Sequence, residues 1–125
     1  MILLDTNYLI GVLVKDSLEA ERVRGWLRSE DLCTTAIAWY EFLSGPVTDE
    51  GIALVSAVLR DRILPYSGDQ AQEGARLWNA TGRIRRLRID AMIAGAAVVT
   101  GAALATSNLD DFEPFRAYGL QLVPN

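Results

Sequence analysis

Five short apolar runs, none long enough for a helix, limit this chain more than any other feature. They are Ile2–Leu4, Leu32–Thr34, Ile63–Leu64, Ala102–Ala105 and Leu120–Val123. Runs without polar alternation suit strands covered on both faces. The stretches between them read as helices. Asp5-Thr6-Asn7 can cap a helix through Val14, and Ser17–Ser29 sets Leu18, Val23, Trp26 and Leu27 on one side. Thr35–Leu43 is an apolar helix stopped by Gly45-Pro46, and Thr48 caps another to Leu59. Asp69–Thr81 ends at Gly82, Asp90–Thr100 turns at Gly101, and a short helix runs through Phe112. Short strands alternating with helices imply an α/β fold, a three-layer α/β/α sandwich with a mainly parallel central sheet. At 125 residues and 50% hydrophobic composition, one domain spanning 1–125 is expected, able to bury a core without crosslinks.

The side-chain inventory excludes several chemistries. There is no histidine, so Ser-His-Asp and Cys-His nucleophilic catalysis and the usual zinc sites are ruled out. The single cysteine, Cys33, allows no intrachain disulfide, which suits a reducing cytoplasm. Metal chemistry must then use oxygen ligands and a hard cation, Mg²⁺ or Mn²⁺. Met1 leads directly into Ile2-Leu3-Leu4-Asp5 without a basic leader, so no signal peptide is expected. The uncharged stretch Ala91–Leu109 is broken by Gly95, Gly101 and Thr106-Ser107-Asn108, so no membrane span is expected either. The net charge is −4, which is not that of a generally basic nucleic-acid binder.

In a parallel sheet, ligands bind outside the carboxyl ends of the strands. Asp5 and Thr106-Ser107-Asn108 each follow a strand directly and should share that edge. Asp5 also suits a helix cap. Glu41 lies in the apolar segment Ala36–Leu43; an acid in a core helix there needs a partner or a metal, and a helix edge reaching solvent would also serve. Asp90 opens the most apolar helix, as a cap or as a ligand at the strand edge. Asn108, Asp110 and Asp111 are turn and cap residues made interesting by their position. Arg83, Arg85, Arg86 and Arg88 crowd the loop before Asp90, where a solvated loop and a phosphate contact are both open.

These residues together resemble the PIN domain, and most closely the VapC-type toxins of toxin–antitoxin pairs. The matching pieces are Leu3-Leu4-Asp5-Thr6-Asn7, Glu41, Asp90 with Ala91-Met92-Ile93-Ala94, and Thr106-Ser107-Asn108-Leu109-Asp110-Asp111-Phe112. The resemblance implies a metal-dependent endoribonuclease whose acids are Asp5, Glu41 and Asp90, with Asn108 in a fourth place that is often acidic. It implies Asp5 and Asp90 as direct ligands of Mg²⁺ or Mn²⁺ and Glu41 as a ligand through water or as the group orienting the attacking water. Asn108 and Thr106 would position water or phosphate, with Thr6 in support. Asp111 is a further candidate ligand in place of the missing fourth acid. The arginine loop would contact an RNA substrate, and Tyr8 or Trp39 could stack on unpaired bases.

The resemblance also implies a cognate antitoxin. Tyr8, Leu9, Val12, Leu13, Trp39, Tyr40, Phe42 and Leu43 offer more large apolar side chains than two short helices readily bury. They could receive an amphipathic segment, and the alternatives are core packing or the interface of an expected homodimer. A haloacid-dehalogenase-like phosphatase needs a second Asp where Asn7 stands. It also needs a late lysine, as does a receiver domain, and Lys15 is the only lysine. The remaining rival is a non-catalytic binding module of the same fold.

Overall fold

The computed structural model describes residues 1–124. Its elements are, in order, β1 (Ile2–Leu4), α1 (Thr6–Val12), α2 (Leu18–Trp26), β2 (Leu32–Thr35), α3 (Ala36–Leu43), α4 (Asp49–Leu59), β3 (Ile63–Leu64), α5 (Gly68–Ala80), α6 (Arg88–Thr100), β4 (Ala103–Ala105) and α7 (Leu109–Arg116). A 3₁₀ turn, Arg85–Leu87, leads into α6. The four strands form one parallel sheet in the order β3-β2-β1-β4, flanked by helices. Every residue of β1 and β2 is buried, as strands covered on both faces must be.

Chain order and strand order together locate the functional edge. The chain runs β1, β2, β3 outward in one direction, then returns through α5 and α6 to place β4 on the other side of β1. The strand order therefore reverses at β1, and a crevice opens at the carboxyl ends of β1 and β4. The register Ile2↔Ala103, Leu3↔Leu104, Leu4↔Ala105 brings those two ends level. Asp5 and Thr106 are consequently neighbours across the crevice.

Side-chain caps explain most helix starts. Ser17, Thr35, Thr48 and Ser67 each accept a hydrogen bond from the backbone N–H three residues on, and Asp5 accepts from Thr6 N. Several expectations need correction. The first helix ends at Val12, not Val14. In α2 only Val23 is fully buried, while Leu18 and Leu27 are exposed, because that helix lies at the surface. The Leu120–Val123 strand is reduced to one parallel bridge, Leu104↔Leu122, held by Leu104 N–H to Gln121 O (2.8 Å) and Val123 N–H to Leu104 O (2.9 Å). Helix α6 opens at Arg88, so Asp90 sits inside its first turn and is not the cap. Cys33 is buried on β2 and its thiol is pushed up to about 11, which leaves it inert.

Two helices are held by backbone contact. A Cβ on Gly95 of α6 would lie 2.5 Å from Gly74 N and 2.7 Å from Gly74 Cα of α5. These atoms are main chain and cannot swing aside, so the pair sets the α5–α6 distance and with it the position of Asp90. Gly95→Ala should therefore destabilise the fold by about 1–3 kcal/mol despite alanine's better helix propensity. Gly25→Ala, which meets nothing within 4 Å, should be neutral or gain up to about 1 kcal/mol. Urea unfolding of both variants checks the opposite signs.

Candidate active site

The crevice is built around Asp5. The carboxylate is 4% exposed, and each oxygen is held. Thr6 N donates to Oδ1 at 2.8 Å, and the Thr106 hydroxyl donates to Oδ2 at 2.8 Å. The Asn7 side-chain amide reaches Oδ2 at a longer 3.4 Å. The Asp5 backbone N–H completes the strand pairing by donating to Ala105 O at 2.9 Å. Asp5 is thus a helix cap and the centre of a polar cluster at once. Thr106 is also committed twice, since its hydroxyl oxygen accepts from Asn108 N at 3.0 Å.

Glu41 comes to the same place from α3, but not from within the core. It is exposed, because that short helix buries Ala38 and Phe42 fully and Ile37 and Trp39 partly against the core, while Tyr40 is 71% exposed. What holds Glu41 at the site is Thr6, whose hydroxyl donates to Oε1 at 2.8 Å. Thr6 therefore ties α1 to α3 and leaves Oε2 of Glu41 available.

Asp90 is half-buried in the first turn of α6. Its carboxyl is pushed up to about 6, first by burial and then by the negative charges of Asp5, Asp111 and Glu41, while Arg86 pulls the other way. Burial also raises the Asp5 carboxyl, and the charge of Glu41 adds to it, against the opposing bonds from Thr106, Thr6 and Asn7. Asp5, Glu41, Asp90 and Asp111 thus share one electrostatic site. Arg86 bonds Asp111 at 2.7 Å across an exposed pair. Asn108 is exposed at the start of α7, makes no side-chain cap bond, and stands beside Asp111 at the mouth of the crevice.

The arginine loop is solvent-facing. Arg83 bonds the Asn79 side chain (2.9 Å) and Arg88 the Arg85 carbonyl (3.2 Å), and all four arginines are exposed. Arg86 belongs to the acidic cluster through Asp111; Arg83, Arg85 and Arg88 form no ion pair with a carboxylate among the described residues. Residues without a role in the sequence reading also enter. Asn7 accepts a hydrogen bond from Ser107 N (3.1 Å), and the Ser107 hydroxyl donates to Glu19 Oε1 (2.9 Å). Asn7 and Ser107 stand inside the two motifs that carry the family resemblance, which assigned neither a task of its own. Glu19 carries no sequence signal beyond that of an acid in the first turn of a helix.

The donor set suits a hard divalent cation that keeps much of its water. Among the described residues no three acidic or sulfur side chains converge into a ready-made cage. Mg²⁺ does not need one, since it is commonly held by one or two carboxylates, waters and substrate phosphate. Burial and then neighbouring negative charge raise the Asp90 and Asp5 carboxyls, and a cation would favour their charged forms against both.

The pH consequence has a definite sign. Asp90 holds its proton more tightly folded (about 6) than at the ordinary 3.8. Its contribution therefore favours folding below about pH 4 and is lost as pH rises through 6. In chelator, Asp90→Asn should melt a few degrees above the native protein at pH 8 and show no such gain at pH 4. Thermal melts at both pH values check this.

Comparison with known proteins agrees with the geometry. Among solved structures, DNA-bound VapBC from Salmonella typhimurium is 25% identical over 98% of this chain and 96% of that one, with a TM-score of 0.74. FitAcB from Neisseria gonorrhoeae is 24% identical over 99% and 97%, with a TM-score of 0.73. VapBC2 from Rickettsia felis, bound to promoter DNA, is 18% identical over 98% of each chain, with a TM-score of 0.72. No curated protein matches the sequence. The PIN-domain family model matches residues 2–117. The chain belongs to the PIN-domain family.

Proposed function

We propose that this protein is a Mg²⁺- or Mn²⁺-dependent endoribonuclease and the toxin of a toxin–antitoxin pair. The observation that carries the reading is the convergence of acids at the sheet's switch point, where burial and the charges of Asp5, Asp111 and Glu41 raise the Asp90 carboxyl, and burial with the charge of Glu41 raises that of Asp5. A bound divalent cation supplies a lowered pKa for water and neutralises charge developing on the phosphate. Asp5 and Asp90 would hold it, with Asp111 adding negative potential.

The chain's own groups have separable tasks. Thr106 and Thr6 N fix both oxygens of Asp5, so its orientation is set before any ligand arrives. Thr6 fixes Oε1 of Glu41, leaving Oε2 to accept from the attacking water and orient it. Asn108 offers an uncharged amide at the mouth, able to donate to a phosphate oxygen. Arg83, Arg85 and Arg88, exposed in the segment before Asp90, supply positive potential that the overall acidity lacks. Tyr8 is buried and unavailable for stacking on bases.

Support for a protein partner comes from a groove. Of the apolar residues expected at such a surface, Tyr8, Leu9 and Phe42 belong to the core, while Tyr40 and Leu43 are exposed. Beside them Ile10, Leu13 and Val14 of the α1 end face Phe42, Pro46 and Val47 around a cavity of about 310 Å³. This groove opens about 10 Å along α1 from Asp5. An amphipathic segment seated there could carry an arginine into the acidic crevice and compete with the cation. Two of the structural neighbours are described as VapBC complexes bound to DNA.

Cleavage of RNA should require Mg²⁺ or Mn²⁺ and stop in excess EDTA. Asp5→Asn should lose at least about a hundredfold in rate while remaining folded. Full activity in EDTA overturns the metal mechanism, and an inert but metal-binding native protein favours the non-catalytic binding module. Val14→Asp should leave cleavage intact and weaken capture by the product of the neighbouring open reading frame, measured by co-expression and pull-down. Equal capture would remove the groove from the interface.

A further inference from the structure

The loop between β4 and α7 brings the Asn108 backbone up to Thr106 beside Asp5 and leads to Asp111, and it is held from outside the crevice. Ser107 is fixed twice. Its N–H donates to Asn7 Oδ1 at 3.1 Å, and its hydroxyl donates to Glu19 Oε1 at 2.9 Å. The next residue, Asn108, donates its N–H to Thr106 Oγ1, the same hydroxyl that grips Asp5. An unbroken path of hydrogen bonds and one peptide link thus runs from α2 to the buried carboxylate.

Glu19 is itself held in position. A Cβ on Gly11 would lie 2.5 Å from Glu19 Cβ and 2.8 Å from Cγ, so the stem of Glu19 rests on the bare backbone of α1. The turn before α2 is tied to the same residue, because the Ser17 hydroxyl donates to Gly11 O at 2.6 Å. With its stem seated, the Glu19 carboxylate has little freedom to leave Ser107. We propose that Glu19 is a positioning residue for the acidic centre, acting through Ser107 to set the loop that carries Asn108 and buttresses the Thr106–Asp5 bond. The inference rests on reading that centre as a cation site. It makes α2, which contributes no group to the crevice, a lever on the site.

The test compares Glu19→Ala, Glu19→Gln, Ser107→Ala and the Glu19→Ala/Ser107→Ala double variant. Amide hydrogen exchange at Ser107 and Asn108, Mn²⁺ affinity, and RNA cleavage would be measured on each. Glu19→Ala and Ser107→Ala should speed exchange at both amides and weaken Mn²⁺ binding, each by about tenfold. In the cleavage assay kcat should fall by a similar factor with KM unchanged. Glu19→Gln keeps an Oε1 acceptor and should restore all three readouts to within about twofold. The double variant should be no worse than either single one, because both remove the same bond. Gly11→Ala displaces Glu19 without removing it and should reproduce the Glu19→Ala exchange pattern. Native exchange and affinity in Glu19→Ala overturn the proposal, as do independent, multiplying effects in the double variant. Native protein that neither binds Mn²⁺ nor cleaves RNA overturns the cation-site reading instead, and the exchange data still decide whether Glu19 sets the loop.

Discussion

A carboxylate buried at the end of β1 is the constraint around which the rest is arranged. Asp5 lies at the point where strand order reverses, 4% exposed and beside the charge of Glu41, and its own charge acts in turn on Asp90. Removal from water disfavours its charge, and neighbouring charges add to that. Hydrogen bonds from Thr6 N, Thr106 and Asn7 act against both. The β1–β4 pairing places Thr106, the cap geometry of α1 places Thr6 N, and the close packing of α5 on α6 places Asp90. Each is a structural device of ordinary kind, and their convergence makes a site that is incomplete without a counter-charge.

The same arrangement separates stability from function. Asp90 would be easier to fold as an amide, because its ionised form is opposed by Asp5, Asp111 and Glu41. Residues whose replacement stabilises a protein are commonly those retained for activity. Arg86 only partly offsets the crowding, since its bond to Asp111 is exposed and of low energetic weight. The residual negative potential suits a divalent cation or, equally, a basic side chain from a partner. Catalysis and inhibition would then compete for one feature, which is the physical sense of pairing such a site with an apolar groove nearby.

Much of this was legible in residue order. The apolar runs Ile2–Leu4, Leu32–Thr34 and Ala102–Ala105 are strands because nothing else buries such short uniform segments, and the caps Ser17, Thr35 and Thr48 mark helix starts by simple chemistry. The shared edge of Asp5 and Thr106 followed from the switch-point rule. Whether Glu41 lay in the core or on a helix edge reaching solvent was open in the sequence, because composition cannot say which face of an eight-residue helix is inward, and the structure puts it on the exposed edge. Leu120–Val123 was apolar enough for a strand, yet only Leu122 pairs, so a local pattern did not determine how far pairing extends. The Asn7–Ser107–Glu19 connections lie between residues 88 to 100 positions apart, and no short-range pattern encodes them.

The claim that Asp5 and Asp90 form a cation site is tested most directly by calorimetric titration with Mn²⁺ in buffers of different ionisation enthalpy. At pH 6, near the Asp90 pKa of about 6, that carboxyl carries about half a proton in the free protein, so binding should release about half a proton from it. That release should vanish at pH 8 and in Asp90→Asn, and Asp5→Asn should bind far more weakly. Binding without proton release at pH 6, or unchanged affinity in Asp5→Asn, would contradict the account.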